Sequence, residues 1–183
     1  AGAFPSQLMG RPMPWESIGE RNLIHHLEFD PSCSGFLVQP HWLRWYSEGV
    51  RHIYCPDAIA IYQGVPTVLE CKKEYPARRG EDLKYRMAGD IYRSIGWGFA
   101  IVTAATLSDN PSRLLNHQAL CRNRFVVADL AFEIAARRFI SNNGNTVLFQ
   151  TLTENLVRAF RIPVERVEAM ILALIARRIL RTN

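Results

Sequence analysis

The sequence predicts an α/β core with a mixed β-sheet, followed by a small helical region, and three observations carry that prediction. Short apolar runs such as Ala58-Ile59-Ala60-Ile61-Tyr62 and Thr67-Val68-Leu69 have strand length and strand composition, whereas other stretches repeat their apolar residues at helical spacing. Turn chemistry separates the runs, as at Gln63-Gly64 and Glu48-Gly49. Beyond Leu107 the strand-like runs cease and only helical patterns follow.

In chain order, residues 1–14 contain Pro and Met and read as a loose arm, partly disordered or a docking segment. Ser17 then offers a hydroxyl to an orphan amide of a helix in which Glu20 stands three places later. Leu23, Ile24, Leu27 and Phe29 supply its buried face, and Asp30-Pro31 ends it. Gly35 to Gln39 and His41 to Tyr46 read as strands, with Glu48-Gly49 turning the chain into a third strand from Val50 to Tyr54. The turn at Gln63-Gly64 folds the run ending in Glu70 back antiparallel on the run that follows Asp57. Tyr75 to Gly80 is a basic Pro/Gly loop; Leu83, Met87, Ile91 and Ile95 form a helix face, and Phe99 to Thr103 is a strand. The order β-β-α-β buries one sheet face under the helix and leaves the carboxylate end open.

Asp109-Asn110-Pro111 punctuates the chain. Helices are expected at Ser112 to Cys121, Val126 to Phe139 and Leu148 to Phe160, with a turn at Asn142-Asn143-Gly144-Asn145. Pro163 suits the first turn of a last helix bearing Val164, Val167, Ile171, Leu174 and Ile175. Three regions result: an arm over 1–14, a core over 15–106 and a helical region over 107–183.

The 183 residues suffice for a sizeable core. No run approaches the ~18 apolar residues of a membrane span, and no basic head leads into an apolar signal segment, so a cytoplasmic address with no membrane is expected. Cys33, Cys55, Cys71 and Cys121 lack paired zinc spacing and read as reduced thiols. The net charge of +5 is uneven: 11 Lys/Arg against 11 Asp/Glu up to Thr106, then 11 against 6, so the excess sits in the distal part. That surface suits a DNA backbone, although arginines on exposed helices also serve solubility and intramolecular pairing.

The chemistry concentrates in a divided acidic set: Glu20, Asp57 after Pro56, and Glu70-Cys71-Lys72. Residues two apart on a strand share a face, so Glu70 and Lys72 point together, and the hairpin brings Asp57 near Glu70. Asp57 and Glu70 are hard oxygen ligands for Mg²⁺, with Mn²⁺ as a substitute, and such an ion neutralises charge on a phosphoryl group and lowers the pKa of bound water. Lys72 would orient the water or stabilise the transition state; the sequence does not choose between them. Glu20 would reach the site as a third ligand or place a second metal. A Glu-x-Lys alone usually marks a solvated strand face; its combination with Asp57 on an adjoining strand is what points to a nuclease.

Other groups carry less. His25 and His26 are adjacent and face different ways, and His41, His52 and His117 have no partners at metal spacing. No serine lies in a Gly-x-Ser-x-Gly elbow, and Gly96-x-Gly98 is too short for a phosphate loop. Trp42, Trp45 and Tyr46 suit core or interface packing, with base stacking by Trp42 as the alternative.

The order from Trp15 to Thr103, about half the chain, contains five segments, Glu16-Ser17-Ile18-Gly19-Glu20-Arg21, Leu27-Glu28-Phe29-Asp30-Pro31, Gln39-Pro40, Tyr54-Cys55-Pro56-Asp57 and Glu70-Cys71-Lys72. In this order they resemble the endonuclease subunit of heteromeric Tn7-type transposases, the TnsA family. The resemblance implies a restriction-endonuclease-like core followed by a helical, winged-helix-like domain. It implies that Glu20, Asp57 and Glu70 bind metal, together with the backbone carbonyl of Cys71, and that Lys72 is the catalytic lysine. It further implies nicking of the 5′ ends of a transposon in double-stranded DNA, beside an integrase-like transposase that joins the 3′ ends and an ATP-using regulator. Lys73, Arg78 and Arg79 near the site, and Arg166, Arg177 and Arg178 on the last helix, are the expected nucleic-acid contacts. A domain-packing helix with charged termini explains the distal arginines equally well. The chain stops at Arg181-Thr182-Asn183 directly after that helix, so a β wing is expected to be short or missing. Two alternatives to the transposase subunit stay open: a catalytically weak DNA-binding or scaffold subunit, and a free-standing phage or mobile-element nuclease.

Overall fold

The computed structural model describes residues 1–75, 79–108 and 111–181. It is an α/β structure that divides into two compact units, Ala1–Leu114 and Leu115–Asn183.

The first fourteen residues are not a loose arm. They form β1 (Gly2–Ser6) and β2 (Arg11–Trp15), an antiparallel pair with Gly2 opposite Trp15 and Ser6 opposite Arg11. Alternation is the reason, since Phe4 and Met13 both turn inward and are buried while their strand neighbours stay exposed. The turn between them is fixed from outside: buried Glu28 accepts hydrogen bonds from Ser6 Oγ at 2.6 Å, Gln7 N at 2.8 Å and Leu8 N at 3.1 Å.

Helix α1 (Ile18–Phe29) begins as its sequence indicates, with Ser17 Oγ accepting from Glu20 N at 3.1 Å, and ends at Asp30. Leu23, Ile24 and Leu27 are buried. β3 (Cys33–Val38) follows, then β4 (Leu43–Ser47) and β5 (Val50–Tyr54), which among the described residues pair only with each other. Glu48 and Gly49 have φ of 51° and 75°, the left-handed pair that a tight two-residue hairpin needs. The aromatic group divides otherwise than expected: Trp45 is the buried ring, stacked 5.0 Å from His52, while Trp42 is 67% exposed.

β6 (Ala58–Tyr62) and β7 (Val65–Lys72) form the expected hairpin, with Gln63 and Gly64 at φ of 51° and 83°. After α2 (Arg79–Ser94), β8 (Gly98–Thr103) returns parallel to β7, giving a mixed four-stranded sheet in the order β3-β6-β7-β8. The buried face of α2 is Tyr85, Ala88 and Tyr92; Leu83 and Ile95, expected on that face, are 55% and 59% exposed. The tyrosines win because each buries a large ring and still finds a partner for its hydroxyl, Glu70 for Tyr85 and His41 for Tyr92. The core on this side joins Trp45, Tyr54, Ile59 and Val68 to the α2 tyrosines.

α3 (Ala104–Ser108) was not legible in the sequence, and α4 (Pro111–Asn123) contains the boundary between the units. The punctuation at Asp109-Asn110 lies outside the described residues. In the second unit α5 (Leu130–Asn142) starts later than the expected Val126, because Asp129 caps it by accepting from Phe132 N at 2.8 Å. α6 (Phe149–Phe160) and α7 (Val164–Ala176) are joined by Arg161 in left-handed conformation, Ile162 and Pro163, the last just outside α7 rather than in its first turn. Phe132, Leu152, Leu156, Val167, Ile171 and Leu174 form their common core. No helix among the described residues is long and apolar enough to cross a membrane.

Candidate active site

Alternation along β7 divides its end between the two helices. Val68 and Glu70 turn toward α2, where Glu70 meets Tyr85; Cys71 turns toward α1, where a Cβ added to Gly19 would stand 2.9 Å from its Sγ. The absence of a side chain at Gly19 lets the first turn of α1 come near the sheet without crowding, and Glu20 follows it on that turn, where its charge acts on Asp57.

The β6-β7 register pairs Ala58 with Leu69, and one further step places Asp57 opposite Glu70. Asp57 Oδ2 accepts a 2.7 Å hydrogen bond from Cys71 N. Glu70, 4% exposed, uses both carboxylate oxygens: Oε2 accepts from Tyr54 Oη at 2.6 Å, while Oε1 accepts from Tyr85 Oη at 2.9 Å and meets Lys72 Nζ at 2.7 Å. Lys72 Nζ also stands 5.2 Å from the Tyr85 ring centre, and Lys84 Nζ stands 5.0 Å and 5.3 Å from the Tyr54 and Tyr85 rings. Asp57, Glu70 and Lys72 are therefore one cluster. Glu20 lies half-buried in the first turn of α1, its Oε2 accepting from Glu16 N at 3.0 Å.

Burial, with charge crowding second, shifts the titration of these groups. Burial first, then the charge of Glu70, raises the Asp57 carboxyl to about 6; the Cys71 hydrogen bond and Lys72 pull the other way, and Glu20 adds to the rise. Burial by itself lowers the Lys72 ammonium, but hydrogen bonds to Glu70 and Tyr85 outweigh it and leave Lys72 above the ordinary lysine value. Burial pushes the Cys71 thiol up to about 11 and the Tyr85 hydroxyl up to about 12. Near neutral pH Lys72 is a cation, and Cys71 offers a backbone carbonyl rather than a thiolate.

Among the described residues no group of three or more His, Cys, Asp and Glu is arranged to hold a metal ion. The donor chemistry nonetheless fits Mg²⁺, which takes one or two protein carboxylates and completes its shell with water and substrate phosphate. A divalent cation beside Asp57 would offset both the burial and the charge of Glu70 that raise its carboxyl.

The expected nucleic-acid contacts are dispersed. Lys73 is exposed and, with Ser17, Gly19, Asn22, Cys71 and Lys72, lines a cavity of about 540 Å³ between the start of α1 and the end of β7. Arg79 is the first residue of α2, and Arg78 lies outside the described residues. In the second unit Arg166 is exposed on α7, Arg177 donates to Val126 O at 3.0 Å, and Arg178 has φ of 59° just past the helix. Sequence reasoning missed Tyr54 and Tyr85. Inward alternation at the end of β5 was the signal available for Tyr54; nothing in the spacing of α2 singles out Tyr85. Compared with known proteins, the chain matches no protein-family model and no curated protein sequence.

Proposed function

We propose that the first unit is a metal-dependent DNA endonuclease that hydrolyses phosphodiesters, acting as the 5′-nicking subunit of a heteromeric transposase. The observation that carries the reading is the cluster of Asp57, Glu70 and Lys72 at adjoining strand ends. A mixed sheet between α1 and α2, with the acidic residues at one strand end, supports a restriction-endonuclease-like core. The shared core of α5, α6 and α7 supports the helical part of a winged-helix-like second domain, and among the described residues no strand follows α7 as a wing.

Mg²⁺ or Mn²⁺ would be held by Asp57 and Glu70, with the Cys71 carbonyl and Glu20 as further oxygen donors, and would supply Lewis-acid stabilisation of the phosphoryl group and an acidified water. Asp57 must be ionised to take part, and its elevated pKa makes that ionisation pH-dependent. Glu70 is held in one orientation by two tyrosine hydroxyls, which limits its reorganisation as charge develops. Lys72 keeps its proton and offers a fixed cation beside the reacting phosphate, orienting water or stabilising the added negative charge. No side chain forms a covalent bond to DNA in this scheme. An integrase-like transposase and an ATP-using regulator are the proposed partners at transposon ends.

A specific observation favours a second reading. Both oxygens of Glu70 are already engaged by Tyr54, Tyr85 and Lys72, as they would be in a weakly catalytic DNA-binding or scaffold subunit. Strand-resolved cleavage of end-labelled transposon-end DNA with Mg²⁺ or Mn²⁺, with and without the transposase, separates the two. Discrete 5′ cuts abolished by Asp57→Ala and by Lys72→Ala, with DNA association kept, support the endonuclease. Intact DNA in a fully assembled complex supports the scaffold.

A further inference from the structure

The ribbon of β4 and β5 has a second face that the cleavage chemistry does not use. Its inner face belongs to the core, where Trp45 and Tyr54 pack with Ile59, Val68 and Tyr85. Strand alternation sends Arg44, Tyr46, Arg51 and Ile53 to the other side, with Arg44 opposite Ile53 and Tyr46 opposite Arg51. All four are exposed, Tyr46 at 75% and Ile53 at 46%. The arginines occupy diagonal positions, about 7–8 Å apart at the backbone. Neither strand carries a carboxylate, the nearest acid along the chain being Glu48 in the turn.

We propose that this outward face is a contact surface for duplex DNA flanking the scissile phosphodiester. The choice of partner rests on the endonuclease reading; the surface itself does not. Three features favour DNA over a protein. Two cations interleaved with an aromatic ring match a phosphate backbone and base edges, whereas a protein partner would be met by a more continuous apolar patch. A two-stranded ribbon fits the major groove, about 12 Å wide. The ribbon is also rooted in the active site: Tyr54, its last residue, donates to Glu70 at 2.6 Å, and Asp57 follows three residues later. At about 3.3 Å per residue Arg51 lies within about 20 Å of Asp57, less than one turn of B-DNA, so a duplex longer than one turn has the length to reach from the site to the ribbon.

The test uses the full chain and a fluorescein-labelled duplex of about 30 base pairs, roughly three helical turns, with anisotropy read over a salt series. Arg44→Gln with Arg51→Gln should weaken binding about tenfold at low salt and reduce the slope of log affinity against log salt by about 2, one phosphate contact for each arginine. A photoreactive benzoylphenylalanine in place of Tyr46, in an otherwise unchanged chain, should crosslink to the duplex; this arm keeps the proposal testable if the double variant fails to fold. Unchanged affinity and slope with no crosslink to DNA overturn it, as does a crosslink only to the transposase when both are present. Unchanged protein that binds but never cuts, with the arginine effect present, would sink the endonuclease reading and leave the ribbon assignment standing. Normal cutting and binding by the double variant would do the reverse.

Discussion

Tyr54 donates a 2.6 Å hydrogen bond to Glu70, tying the end of the β4-β5 ribbon to the central strand at the residue where the chemistry is concentrated. Tyr54 is 2% exposed and Glu70 4%, so water cannot replace the bond if it is lost. Tyr54→Phe keeps the ring and removes only the donor. It should cost about 1.5–3 kcal/mol in urea unfolding, the range for a hydrogen bond to a charged group, and slow any DNA cleavage by the folded variant. A stability within about 0.5 kcal/mol of the unchanged protein would mean that Glu70 does not depend on this hydroxyl.

The raised Asp57 carboxyl sets a pH window in the metal-free protein. Its folded value of about 6 lies above the ordinary 3.8, so the folded chain holds a proton that the unfolded chain has released. The contribution of this group is therefore full below the unfolded value, declines as pH rises through about 6, and is flat above. Asp57→Asn should remove that decline and raise the melting temperature at pH 7 relative to pH 4.5, when each is compared with the unchanged protein. Mg²⁺ should raise the melting temperature of the unchanged protein more at pH 7 than at pH 4.5, because only the ionised carboxylate binds it. Equal pH profiles for the two proteins would show that Asp57 titrates normally.

Gly19 and Cys71 should be coupled energetically. A Cβ at position 19 would meet Cys71 Sγ at 2.9 Å, so Gly19→Ala must displace either the thiol or the first turn of α1. Crowding of this kind costs about 1–3 kcal/mol, set against the ~1 kcal/mol by which alanine favours a helix over glycine. The single variant should be destabilised, and Cys71→Ala should relieve it. Additive urea-unfolding energies in the double-mutant cycle would count against the close approach.

Glu28 holds the β1-β2 turn through three hydrogen bonds while buried at 2% exposure. Glu28→Gln replaces an anionic acceptor by a neutral one, and with the amide oxygen kept on Gln7 N and Leu8 N its NH2 group takes the place of the oxygen that accepts from Ser6 Oγ. A loss of about 2 kcal/mol is expected, with faster amide exchange at Gln7 and Leu8. Protection unchanged at those two amides would contradict the arrangement.

The sequence by itself determined the local structure where one residue's chemistry decides. Ser17 caps α1, Gln63-Gly64 and Glu48-Gly49 make left-handed turns, and the hairpin those turns allow carries Asp57 to Glu70. Strand alternation was enough to put Glu70 and Lys72 on one side. Tertiary structure decided whatever depended on partners distant in sequence. The first fourteen residues look irregular until Glu28 supplies acceptors for their turn, and α2 presents Tyr85 and Tyr92 rather than Leu83 and Ile95 because Glu70 and His41 await their hydroxyls. The same holds for Glu70, whose side-chain partners Tyr54 and Tyr85 lie 16 and 15 residues away on opposite sides. Periodicity reports which residues share a face. It does not report what that face will meet, and the electrostatic character of this site is set by what it meets.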